Sequence, residues 1–79
     1  MKKRKKIQFE IILQPESEGG FTVIVPELPG CVTYGENLEE ALIMAKDAIK
    51  GYLHSLKKHK EPILKKARPL ITSLEIEYA

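Results

Sequence analysis

The chain has 79 residues, 43% hydrophobic and 30% charged, and 13 basic against 11 acidic side chains give a net charge of +2. This excludes two domains and whole-chain disorder, and no apolar run nears the ~18 residues of a membrane span. The single cysteine, Cys31, excludes an intrachain disulfide and a structural Cys-rich zinc site.

The start, MKKRKK, is basic. Lys2, Lys3, Arg4, Lys5 and Lys6 are five of the 13 basic residues, and the remaining eight face 11 acidic ones, so residues 7–79 carry −3. Such a tail can make weak nucleic-acid contacts by counterion release, and it also keeps a small protein soluble. The body lacks the basic stripe interleaved with aromatics of a nucleic-acid surface. The following IQFEIILQ contains Glu10, alternates, and leads to no small-residue cleavage site, so it does not read as a signal peptide. Residues 1–6 are thus expected to be a tail and 7–79 one soluble, reduced, cytoplasmic domain without a membrane contact.

Ile7 to Gln14 alternates, with Ile7, Phe9, Ile11 and Leu13 on one face, and predicts a half-buried strand. PESEGG, at 15–20, is a turn cluster. Phe21 to Val25 is rich in β-branched residues and predicts a second strand, hairpinned to the first. Pro26 ends it. In Glu27-Leu28-Pro29-Gly30, proline fixes φ at one central turn position and glycine tolerates positive φ at the next. Cys31 to Tyr34 predicts a short third strand, closed by Gly35.

Asn37 is a good N-cap, with Glu40 three residues on in a capping-box spacing. From there Leu38, Ala41, Leu42, Ala45, Ala48, Ile49, Tyr52, Leu53 and Leu56 recur at three- and four-residue steps. They predict an amphipathic helix to about residue 58, with lysines at its end and Pro62 as its stop. Gly51 invites a close approach of another backbone. Beyond a proline-containing loop, Leu70, Thr72, Leu74, Ile76 and Tyr78 alternate with Ile71, Ser73, Glu75 and Glu77 and predict a fourth strand.

The expected architecture is α+β: a single domain of β-β-β-α-β order, with a four-stranded mixed sheet in spatial order 3-2-1-4 and one helix covering one face. One helix cannot cover both faces. The other carries Ile12 and Ile24, so a homodimer or homotetramer is expected.

Gly20 to Tyr52 reads GFTVIVPELPGCVTYGENLEEALIMAKDAIKGY. It resembles the HicB-like antitoxin family in its Glu27-Leu28-Pro29-Gly30-Cys31 turn, Thr33-Tyr34-Gly35 turn, Glu39-Glu40-Ala41 helix start and the spacing of Ala45, Ala48 and Ile49. The resemblance implies a partial RNase H-like fold. It also implies a binding module that masks a small basic HicA-like mRNA-cleaving toxin, itself built on a double-stranded-RNA-binding fold. Many members carry a C-terminal DNA-binding domain, and operator binding through one is not expected of this chain.

Other chemistry has less support. A metal-dependent RNase H-like nuclease needs carboxylates converging on ions about 4 Å apart. Glu10 faces away from the expected core, and Glu39 and Asp47 lie ~80° apart on a helix. His54 and His59 do not share a helix face, and Cys31 has no identifiable His or Asn partner. No catalytic residue, metal ligand or cofactor is therefore expected. Glu27, Tyr34, Glu36, Glu39 and Glu40 are the candidate partner-binding residues: the acids would steer a basic partner, and Tyr34 would anchor it. The alternative function is a stand-alone homo-oligomeric structural or regulatory protein with no toxin partner.

Overall fold

The computed structural model describes residues 6–63 and 68–79. The elements are β1 (Ile12–Pro15), β2 (Phe21–Ile24), β3 (Val32–Gly35) and α1 (Leu38–Lys58). The strands form one antiparallel sheet in the order β1-β2-β3. Most of the basic tail, Lys2 to Lys5, lies outside the described residues, and Lys6 is exposed.

Period-two patterning sets the two faces of the sheet. Leu13 pairs with Val23 and Val23 with Thr33, on the face toward α1. Ile12 pairs with Ile24 and Ile24 with Val32, making an apolar row on the opposite face. Ile24 and Val32 are exposed there. The first strand is shorter than the alternation predicts. Glu10 N–H donates to Glu27 Oε1 at 2.7 Å, so a side chain, not a neighbouring strand, satisfies the backbone at that point.

The turns follow their residues. Glu16 N–H donates to Gly20 C=O and Gly19 N–H to Glu16 C=O, both at 3.0 Å, closing the β1–β2 hairpin. Gly30 has φ 79°, and Cys31 N–H donates to Leu28 C=O at 3.0 Å. That is a type II turn, with Pro29 and Gly30 at its centre.

Asn37 caps α1, its Oδ1 accepting from Glu40 N–H at 2.8 Å. Glu40 Oε1 accepts in turn from the N–H of Glu36, one residue before the cap, at 2.9 Å. At the other end Glu61 N–H donates to Leu56 C=O at 2.8 Å and Lys60 N–H to Lys57 C=O at 3.1 Å. This is a Schellman motif, and it places Lys60 at φ 57°, where glycine is the usual residue.

The core has two parts. Val23, Ala41 and Ala45 are buried together, with Ile11, Leu13 and Phe21 against them. Val25, Leu28 and Cys31 form the second, with Phe9, Ile11, Ala48, Ile49 and Tyr52 around them. Ile11 joins both. α1 packs chiefly on β3 and next on β2. The close approach is at Gly35, where a Cβ would overlap the backbone of Ala41. Gly51 has open space around it instead, so it serves no close backbone approach among the described residues.

The expected four-stranded mixed sheet of order 3-2-1-4 is corrected to three antiparallel strands among the described residues. Residues 68–79 belong to no strand, and Leu70, Ile71, Leu74, Ile76 and Tyr78 are all exposed. Alternation marks a segment able to join a sheet without saying which edge receives it. Arg68 Nη1 of this segment pairs with Glu10 Oε1 of the body at 3.9 Å.

Two substitutions check this packing. Gly35→Ala forces β3 and α1 apart and should cost about 1–3 kcal/mol, read as a lower urea midpoint. Lys60→Gly relieves the left-handed backbone and should add about 0.5–1 kcal/mol, read as a raised Tm.

Candidate partner-binding surface

The pairing of Phe21 with Pro15 on one side and Gly35 on the other brings the hairpin loop and the start of α1 to the same end of the sheet. Glu16 and Glu18 come from the loop, and Glu36, Glu39 and Glu40 from the helix start. All five are exposed. Tyr34 packs on the loop group, its O–H donating to Gly19 C=O at 2.9 Å. Glu16, Ser17, Glu18, Gly19 and Tyr34 line a shallow polar cleft there.

These carboxylates do not all have the same freedom. Glu40 is occupied by its bond to Glu36 N–H, and Glu16 Oε2 accepts from the Thr22 hydroxyl. The side chains of Glu18, Glu36 and Glu39 project into solvent. Glu39 and Glu40 sit in the first turn of α1 and Lys57 and Lys58 in the last. Each pair is placed favourably against the helix dipole, acidic at its positive end and basic at its negative end.

Glu27 is the exception among the expected surface residues. It lies in the turn at the opposite end of β2 and is fully buried, holding Glu10 N–H. Its position organises the approach to β1, which corrects its place on the acidic surface. Glu16 and Glu18 were absent from the expected set. The hairpin register could have revealed them, because it puts the β1–β2 loop beside the end of β3.

Cys31 is buried, and burial raises its thiol above the ordinary value of 9.0. His54 is exposed, and His59 is the C-cap residue of α1, its Nδ1 2.9 Å from Ser55 C=O. Among the described residues no three His, Cys, Asp or Glu side chains converge as a metal site. No described helix is long and apolar enough to cross a membrane.

Fold and surface together define a small α+β domain that offers charged and apolar surface around a sheet covered on one side. Residues 9–78 match the family model described as the HicB_like antitoxin of bacterial toxin-antitoxin systems, and the chain belongs to that family. It is 46% identical over 57 residues to a UPF0150 protein of Thermoplasma acidophilum, covering 72% of this chain and 83% of that one. A UPF0150 protein of Helicobacter pylori is 39% identical over 64 residues, covering 81% and 89%. Antitoxin HicB 1 of Photorhabdus laumondii is 42% identical over 45 residues, 57% of this chain but only 29% of that longer protein.

The raised thiol has a measurable consequence. Cys31 should react with iodoacetamide at pH 8 at least tenfold more slowly in the folded protein than in urea, because both access and thiolate are reduced. The sign of the linkage follows: the neutral thiol favours the fold, so this contribution is complete below pH 9.0 and is lost as pH rises further. Equal rates in the two states would show the thiol to be open to solvent.

Proposed function

We propose that this chain is a non-enzymatic antitoxin that binds a small basic HicA-like mRNA-cleaving toxin and masks its RNA surface. The observation that carries this reading is that exposed Glu16 and Glu18, which line a cleft with Tyr34, and exposed Glu36, Glu39 and Glu40 come from segments at the same end of the sheet. A protein that cleaves mRNA needs a basic surface for phosphates. A rim of carboxylates opposes that surface and competes with RNA for it. Inhibition then needs no bond to be made or broken. Opposed charge speeds encounter, and buried area around Tyr34 holds the complex. Membership of an antitoxin family supports the same reading.

The test is binding and growth rescue with a co-encoded small basic toxin, using a variant in which Glu18, Glu36 and Glu39 all become lysine. These three carboxylates can be changed without removing the bonds made by Glu40 or Tyr34. The expected result is an association rate at least tenfold slower at low salt, with its salt dependence flattened and the fold retained. An unchanged rate would remove this surface from the interface. Failure of the unaltered chain to bind the toxin or rescue growth would remove the antitoxin reading.

A second reading is a homo-oligomeric structural or regulatory protein with no toxin partner. It draws on the row of half-buried Ile12 and exposed Ile24 and Val32. That reading predicts self-association without growth rescue.

A further inference from the structure

We propose that residues 70–78 form a strand that each copy of this chain donates to the free edge of β1 in a second copy. The donor segment has the pattern of a strand and no sheet within its own chain. Leu70, Leu74, Ile76 and Tyr78 are 91%, 86%, 76% and 97% exposed. Four large apolar side chains at every second or fourth position are not a solvent-facing composition. The match to the family model runs to residue 78, so the segment belongs to the matched domain.

The acceptor is β1. Its only ladder partner among the described residues is β2, so its other edge presents unpaired N–H and C=O groups. Behind that edge Phe9, Ile11 and Leu13 are only half-buried, because α1 leans toward β3. The two faces match. Leu70, Leu74 and Ile76 would continue the layer of Ile11 and Leu13. Ile71 would then fall beside Ile12 and lengthen the row through Ile24 and Val32, leaving Ser73, Glu75 and Glu77 in water.

The geometry favours a second copy over the chain's own edge. Arg68 lies beside Glu10, next to the start of its own β1, yet the residues after it make no ladder there. Nine extended residues reach about 30 Å. The described chain is elongated, 61 × 27 × 22 Å. Two such arms exchanged about a two-fold axis make the same contact twice and cap both free edges.

This exchange is independent of toxin binding and is tested without a toxin. Hydrogen exchange of the full chain is followed by mass spectrometry across a dilution series, with the mass measured by light scattering at each concentration. The expected result is a dimer in which amides of 70–78 and the outer edge of β1 are protected together, and lose protection together as dilution yields monomer. Leu74→Pro and Glu75→Pro, made separately, address alternate N–H groups. At least one should weaken the dimer tenfold or more while the helix signal in circular dichroism is retained. A monomer at all concentrations would overturn the proposal. So would protection of 70–78 that survives dilution to monomer, which is pairing within one chain, or a dimer unaffected by both variants when they are folded. If the variants do not fold, the dilution series on the unaltered chain decides.

Discussion

At the end of β3 a residue without a side chain lets the backbone of α1 come close enough for Ala41 and Ala45 to reach Val23. Alanine on the helix and glycine on the strand are one device seen from two sides. Larger residues would lift the helix and expose Val23. They would also shift the helix start, and with it the N-cap formed by Asn37. The cap in turn presents Glu36 and Glu39 at the same end of the sheet as the hairpin loop. The placement of the charged surface is therefore a consequence of close backbone packing.

The acidic end combines two demands that usually compete. A cluster of like charges repels itself, and exposed carboxylates crowded together lower stability. Here the positive end of the helix dipole lies beneath Glu39 and Glu40, and backbone N–H or hydroxyl donors hold Glu40 and Glu16. The repulsion is offset locally, so the cluster can persist and remain available to a basic partner. At the far end Lys57 and Lys58 answer the negative pole of the same helix. Both ends of the helix thus carry side chains that complement its dipole.

Much of the body can be read from the chain itself. The helix from Leu38 is announced by Asn37, Glu40 and the spacing of Ala41, Ala45 and Ala48, and Pro29-Gly30 dictates its turn by φ alone. What escaped was long-range. The burial of Glu27 depends on a backbone N–H 17 positions away, and nothing local distinguishes it from a surface glutamate. Glu16 and Glu18 join the acidic surface only once the strand register is known. The alternation from Leu70 to Tyr78 was visible. Its partner was not, because period two says that a segment can pair without naming the edge.

The remaining constraint is size. The buried apolar residues of the described chain are Val23, Val25, Leu28, Cys31, Ala41 and Ala45, three of them small. One core in a chain of 79 residues rarely yields more than about 3–5 kcal/mol. Meanwhile Val32, Leu38, Leu42 and Ile43 stay exposed alongside the C-terminal segment. A fold so economical inside and so apolar outside leaves surface that the proposed exchange would cover. Exchange of residues 70–78 would add a fourth strand to each sheet, widening the layer beneath α1 at β1, the strand α1 covers least. The arm starts near Glu10, whereas the carboxylates lie at the opposite end of β1. The origin of the arm and the acidic end are therefore separated by the length of β1.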